Sequence, residues 1–212
     1  NKYTKIRVLG VGESCYHVMS RITERRFYLG SQEKERFREM MRRVAGFCGV
    51  EVLTYTVMDN HFHLLIKIPK AVDITDEELL RRMRLIYSWQ EVRALEEQLE
   101  EAHCADDDTE VRRLRRSYLY RMYNLAEFMK TLKQRYAIWY NRTHGRMGHL
   151  WDDRYRSVLV EGNGDSLGRP GALWVMAQYI ELNAVRAGIV ESAGAYRWCG
   201  LGEAVGGGAE AR

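Results

Sequence analysis

The sequence lacks three features that would place it among membrane, exported or zinc-ribbon proteins. It contains no run of about 18 apolar residues, the length that a transmembrane helix needs. Residues 1–7 are polar and include no signal-peptide core. The four cysteines are scattered and form no Cys-x-x-Cys pair, which argues against a zinc ribbon and for reduced thiols. We therefore predict a cytoplasmic protein with no membrane partner.

The length and composition are those of one medium-sized folded domain. The chain has 212 residues, of which 46% are hydrophobic, and this is enough to form a core. We predict a single domain over residues 1–200 with a helical insertion at about 87–120. The Gly/Ala/Glu-rich residues 201–212 are predicted to form a flexible tail.

The charge is unevenly distributed along the chain. Residues 111–156 contain twelve Lys or Arg and three acidic residues, a net charge of +9, although the whole chain carries only +4. Such a basic block favours a polyanionic partner, and nucleic acid is the main candidate. A solvated helix face is the alternative explanation.

The most informative stretch is Val52–Pro69, which has the pattern of two strands broken by the turn dipeptide Asp59-Asn60. The second strand carries His61 and His63, which are two residues apart and therefore point to the same face. Two neutral imidazoles on a rigid strand can supply two of the ligands of a metal site. Other parts of the chain must supply the remaining ligands.

A further strand is predicted at residues 13–23, where polar and apolar residues alternate. His17 belongs to this strand and lies near the histidine pair if the two strands are neighbours. The pattern favours the simpler alternative, a polar histidine on the face of the sheet.

Helical periodicity accounts for most of the remaining chain. The first half gives strand, helix, strand, strand, which is half of a ferredoxin-like arrangement. We predict an α+β fold: a ferredoxin-like antiparallel sheet with helices on one face, plus the helical insertion. Helices are predicted at 32–48, 75–101, 111–123, 125–141 and 172–187, a strand at 155–161 and a loop at 162–170.

Residues 141–157 form a glycine-punctuated loop in which arginines and aromatic rings are mixed. This mixture is typical of phosphate contacts and base stacking on single-stranded or distorted nucleic acid. Trp151 and Tyr155 are equally compatible with a role as core anchors. The candidate DNA-binding residues are Arg135, Arg142, Arg146, Trp151, Arg154 and Arg156.

Three sequence blocks resemble the Y1 (HUH) transposases of the IS200/IS605 kind, and most of all the REP-associated tyrosine transposases. The blocks are V-M-D-N-H-F-H-L-L-I, L-W-D-D-R-Y-R-S and Y-I-E-L-N-A-V-R-A-G, in this order. The resemblance implies that Tyr179 is the nucleophile and that His61, His63 and Asn183 bind Mg or Mn. It also implies single-stranded or hairpin DNA as the partner and a monomer or homodimer. Ala184 replaces the usual proline, so the late helix is expected to continue smoothly.

The chemistry implied by the resemblance needs these residue types. A tyrosine hydroxyl, with a pKa of about 10, is a poor nucleophile unless the developing charge is stabilised. A divalent metal on the phosphate supplies that stabilisation, and neutral ligands leave the metal its full charge. Imidazole with oxygen ligands suits Mn²⁺ better than Mg²⁺. The products would be a 5′-phosphotyrosine link and a free 3′-hydroxyl.

Three alternatives stay open at the sequence level. The chain is also compatible with a DNA- or RNA-hairpin-binding protein that derives from such an enzyme and no longer cleaves. A metal hydrolase of small phosphoesters is a further alternative, against which the basic block argues. Tyr136 and Tyr140 are rival nucleophiles within the predicted helix 125–141.

Overall fold

The computed structural model describes residues 13–160 and 171–207, which fall into two compact units. The sheet unit comprises the described parts of Asn1–Glu35, Val52–Pro69 and His149–Arg212. The helical unit comprises Arg36–Glu51 and Lys70–Gly148. None of the helices in the described ranges is long and apolar enough to cross a membrane.

Four strands form one sheet in the order β2-β3-β1-β4. They are β1 (Ser14–Arg21), β2 (Glu51–Val57), β3 (His61–Ile68) and β4 (Arg156–Val160). β1 pairs antiparallel with both β3 and β4. The predicted strands and the Asp59-Asn60 turn between β2 and β3 are therefore observed, and the α+β class with an antiparallel sheet is confirmed.

The two faces of the sheet differ in composition because side chains alternate along each strand. One face carries buried residues that are mainly apolar, namely Tyr16, Val18, Ser20, Phe62, Leu64 and Ile66. The opposite face carries His17, Met19, His61, His63 and Leu65, since the register places Met19 opposite His63 and His17 opposite Leu65. We call this second surface the imidazole face.

A late helix, α6 (Ala172–Glu181), packs on the imidazole face. Its buried residue Ile180 forms a cluster with Leu65 of β3 and Val160 of β4. Leu173, Met176 and Ala177 of α6 pack against the same cluster. Burial of this apolar side of the helix fixes the position of its remaining residues over the sheet.

The late helix is shorter than predicted. α6 ends at Glu181, and α7 (Asn183–Arg186) follows after Leu182, whose φ of −83° and ψ of 1° depart from helical values. Bonds from β2 accompany this break: the Thr56 hydroxyl donates to the Ile180 carbonyl (2.7 Å), and the Thr54 hydroxyl bonds to the Glu181 carboxylate. The expectation of a smooth helix over 172–187 was wrong because it considered local propensity alone.

The segment predicted as a flexible tail begins with a short helix, α8 (Gly200–Val205). Glu203 of this helix is buried and accepts a hydrogen bond from the Tyr55 hydroxyl at 2.9 Å. Gly202 lies against the Tyr196 carbonyl so closely that a Cβ atom would collide with it. The expected flexibility is therefore wrong for residues 201–205, whereas residues 208–212 lie outside the described ranges, as does the whole of the predicted loop 162–170.

The chain just before α8 covers the outer edge of β2. The Val57 amide donates to the Trp198 carbonyl at 2.9 Å, and Thr56 forms an isolated bridge with Cys199. The Tyr196 hydroxyl adds a bond to the Val57 carbonyl at 2.8 Å.

The helical unit contains most of α1 (Ser31–Cys48) and four further helices. These are α2 (Asp76–Met83), α3 (Trp89–Cys104), α4 (Asp108–Leu119) and α5 (Leu125–Thr143). Thr75, Ser88, Asp107 and Asn124 cap the amino ends of α2 to α5 with their side chains. The helix predicted at 75–101 is interrupted because Ser88 and Glu91 form a capping box that starts a new helix. α3 and α4 form the helical hairpin expected at about 87–120.

Candidate functional site

Three imidazole rings and one phenol ring lie together on the imidazole face. The ring centroids of His61 and His63 are 5.1 Å apart, as are those of His17 and His63. The ring of Tyr179 lies 5.9 Å from His63 and 6.0 Å from His17, edge to face in both cases. Because β1 is the direct neighbour of β3, His17 lies beside the pair, as the sequence allowed.

Tyr179 owes its position to its neighbour Ile180, which is fully buried in the contact between α6 and the sheet. The tyrosine itself is 38% exposed and is therefore accessible from solvent. The Arg186 guanidinium lies over its ring, 5.0 Å from the centroid. The two side chains form a cation–π contact.

Burial keeps the imidazoles neutral. It lowers the pKa of His63 to about 3, and the charges of His61, His17 and Arg21 act in the same direction. Burial is also the main cause of the lowered pKa of His61, assisted by Arg21 and opposed by Asp59. The pKa of His17 is lowered by burial as well. Neutral rings retain a nitrogen lone pair, which is the form that binds metals.

His61, His63 and Asn183, the predicted metal ligands, carry donor groups of a kind that binds divalent metals. The Asn183 side chain donates through its nitrogen to the carbonyls of Tyr179 (2.8 Å) and Ile180 (3.3 Å). Its oxygen, the atom that binds metals, takes no part in these two bonds. In the described ranges, no three His, Cys, Asp or Glu side chains are placed to share an ion.

The predicted DNA-binding residues of the sheet unit divide into two kinds. Trp151 packs edge to face on the buried Phe62, with ring centroids 5.5 Å apart, and bridges Ile22. It therefore serves as a core anchor. Arg154 and Arg156 are exposed, and Arg156 pairs with Met19, which places it on the imidazole face.

The other predicted DNA-binding residues, Arg135, Arg142 and Arg146, belong to the helical unit. Arg142 is exposed and Arg146 is partly buried. The Arg135 guanidinium lies 5.8 Å from the centroid of the Tyr87 ring, and burial lowers its pKa. Arg135 is thus engaged within its own unit.

Several other cations of the basic block are engaged in the same way. Arg115 bonds to Asp73 and Asp76. Arg113 pairs with Glu110, and Arg121 bonds to Tyr87 and Thr131. Part of the +9 charge therefore stabilises the helical unit, so the sequence count overstates the charge available for a partner.

The rival nucleophiles of the sequence analysis are poorly placed for chemistry. Tyr136 has no exposed surface and Tyr140 is 5% exposed, both within the helical unit. Sequence reasoning did not select Arg186, although it lies seven residues after Tyr179 and helical spacing gave a signal for it. It also assigned no role to Asn60, whose carboxamide oxygen lies 2.7 Å from His61 Nδ1.

Comparison with known proteins supports the predicted resemblance. Residues 11–103 match the family model described as "Transposase IS200 like". A solved structure of a REP-associated tyrosine transposase bound to a REP hairpin is similar in fold, with a TM-score of 0.52 and 13% identity. That match covers 97% of this chain and 87% of the other. A candidate transposase from Deinococcus radiodurans R1 has a TM-score of 0.41 and 16% identity, over 81% of this chain and 92% of that one. No curated protein matches the sequence.

Proposed function

From the IS200-like transposase pattern of residues 11–103, we propose that this protein cleaves and rejoins single-stranded DNA at hairpin-forming palindromic sequences. The observation that carries the proposal is the convergence of His61, His63 and Tyr179 on one face of the sheet. The REP hairpin bound to the similar structure makes hairpin DNA the natural substrate to test.

In the proposed reaction, the Tyr179 hydroxyl oxygen attacks a backbone phosphorus atom. A bond forms between this oxygen and phosphorus, and the bond from phosphorus to the 3′-oxygen breaks. The phenol loses its proton to solvent and the 3′-oxygen gains one, so that a 5′-phosphotyrosine link and a free 3′-hydroxyl result. The energy of the phosphodiester is retained in the link, and rejoining therefore needs no ATP.

The surrounding residues supply the charge that this step needs. Mg or Mn held by His61, His63 and Asn183 would neutralise charge on the phosphate. Arg186, over the Tyr179 ring, would be a further cation close to the attacking group. Arg156, which is exposed on the imidazole face, would contact the DNA backbone.

A second candidate function is hairpin binding without cleavage. The family match ends at residue 103 and therefore covers the histidine pair but not Tyr179. The covalent link separates the two functions, because a protein that only binds DNA forms none.

The test is a denaturing gel of protein with Mn²⁺ and a pool of hairpin oligonucleotides that have randomised single-stranded flanks and a label at the 3′ end. We expect a covalent adduct that maps to the peptide containing Tyr179. Tyr179→Phe should fold normally and bind hairpins but form no adduct, since only the hydroxyl is lost. Tyr120→Phe, a change at another exposed tyrosine, is the matched control. An adduct in Tyr179→Phe, or a label on Tyr136 or Tyr140, would refute the assignment.

A further inference from the structure

The two histidines of the pair each have a polar partner at the same ring atom. His61 Nδ1 lies 2.7 Å from the Asn60 carboxamide oxygen. His63 Nδ1 lies 2.8 Å from His17 Nε2. In both rings the atom left without these bonds is Nε2. A histidine that binds metal through one nitrogen usually bonds through the other to a second residue, which fixes the ring and its tautomer.

The direction of the first bond follows from the surroundings of Asn60. Its amide nitrogen donates to the Arg25 carbonyl at 3.1 Å. The carboxamide oxygen therefore faces His61, and an oxygen can only accept. His61 must carry its proton on Nδ1 to make this bond, which leaves the lone pair on Nε2.

The second bond joins two histidines, and its geometry is that of a direct hydrogen bond. The ring planes of His17 and His63 are within 11° of parallel, with centroids 5.1 Å apart. This centroid separation equals the 2.8 Å between the nitrogens plus the two distances from ring centre to nitrogen, so the nitrogens face each other along one line. Two rings that shared a metal ion would instead point their nitrogens at a common third point. The absence of any three-residue His, Cys, Asp or Glu metal cluster in the described ranges agrees with this.

We propose that His17 is a positioning residue that accepts the Nδ1 proton of His63, as Asn60 accepts that of His61. Both members of the pair then present an unprotonated Nε2. His17 can reach its partner because Met19 is directly opposite His63 and His17 is the diagonal neighbour across the β1–β3 ladder. This inference rests on the proposed metal-dependent function for its purpose, but the tautomers themselves can be observed without metal or DNA.

The direct test is long-range ¹H–¹⁵N NMR of the metal-free protein at neutral pH. We expect His61 and His63 to be the Nδ1-protonated tautomer and His17 to have an unprotonated Nε2. A proton on His63 Nε2 would overturn the proposal. This result does not depend on cleavage, so it stands or falls separately from the proposed function.

Mn²⁺ affinity of three variants then tests the role of His17. His17→Leu removes the acceptor and should weaken Mn²⁺ binding by about 10- to 100-fold. His17→Gln offers an oxygen that can accept from His63 Nδ1, and should restore most of the affinity. Met19→Leu, on the same face of the same strand, is the control and should bind like the wild type. Thermal unfolding of each variant confirms that it is folded.

Two outcomes would contradict the positioning role. If His17→Leu binds Mn²⁺ as tightly as the wild type, the hydrogen bond with His17 does not orient His63 for metal binding. If His17→Gln loses as much affinity as His61→Ala, His17 is a ligand and not a positioning residue. Failure of the wild-type protein to bind Mn²⁺ would refute the metal-dependent function, while the NMR result would still decide the tautomers.

Discussion

At the scale of single residues, the histidines of the imidazole face link protonation to stability. Folding buries them, and burial opposes the charged form. The unfolded chain has no such restriction, so its histidines take up a proton at about pH 6.5. As the pH falls, protonation of these histidines should therefore destabilise the folded state before most carboxylates are protonated.

We predict that the metal-free protein loses stability as the pH falls from about 6.5 towards 3. The pKa of His63 is lowered to about 3 in the folded state, so below pH 6.5 the unfolded state binds a proton that the folded state excludes. Urea unfolding between pH 7 and pH 4 should show a decrease of about 2 to 3 kcal/mol from this residue. His63→Asn should flatten the profile, and an unchanged slope in this variant would contradict the explanation.

We also predict that His61→Ala and His63→Ala abolish Mn²⁺ binding and cleavage. Hairpin affinity should largely survive, because phosphate contacts supply most of it. Metal titration, a cleavage assay and a DNA-binding assay measure the three properties separately. His149→Ala, a change at an exposed histidine, is the control. Cleavage by either variant of the pair would remove that residue from the metal site.

At the scale of secondary structure, β2 determines where α6 ends and hence where Tyr179 lies. Thr54 and Thr56 bond to Glu181 and to the Ile180 carbonyl, respectively. Glu181 also accepts from the Leu201 amide at 3.0 Å. The end of the helix nearest the tyrosine is therefore tied to the sheet by side chains far away in sequence.

We predict that Thr56→Val lowers the free energy of unfolding by about 1 to 2 kcal/mol, because a buried hydrogen bond to the Ile180 carbonyl is lost without a change of shape. The rate of adduct formation should fall while hairpin affinity stays the same. Urea unfolding and single-turnover kinetics measure the two effects. Leu53→Val, at an exposed position of the same strand, should change neither, and a fully active Thr56→Val would contradict the link to Tyr179.

The elements that could be predicted from the sequence are those with a local signal. The alternation of side chains with a period of two residues predicted strands β1 and β3. It also predicted that His61 and His63 point to the same face. The break at Leu182 and the helix α8 could not be predicted, because bonds from Thr56 and Tyr55 act across more than a hundred residues. The contact of His17 with His63 could not be predicted, because it depends on the order of the strands in the sheet. The alternation of polar and apolar residues within one strand carries no information about that order.

At the scale of the whole molecule, the basic block divides into engaged and exposed cations. Arg113 and Arg115 pair with acidic residues, whereas Arg154 and Arg156 are exposed, and Arg156 lies on the imidazole face. Counterion release depends only on the cations that reach phosphates. Net charge alone would therefore not predict the strength of the proposed DNA binding.

We predict that hairpin binding weakens steeply with salt, and that Arg154→Ala with Arg156→Ala reduces the slope of log affinity against log salt by up to about 0.7 for each lost single-strand phosphate contact. The matched control is Arg81→Ala with Arg113→Ala, which removes the same charge from arginines paired with neighbouring glutamates. Binding isotherms at several salt concentrations give the slopes. An equal loss in both double variants would mean that net charge, and not these contacts, determines binding.

The cover over the outer edge of β2 also limits how copies of this protein can aggregate. Trp198 and Cys199 occupy positions at which a strand of another molecule would have to bond to Val57 and Thr56. At the opposite edge of the sheet, β4 pairs only with β1 within the described ranges. Pairing between the sheets of two molecules is therefore blocked at the covered end of β2, and any such pairing has to use other positions along the sheet edges.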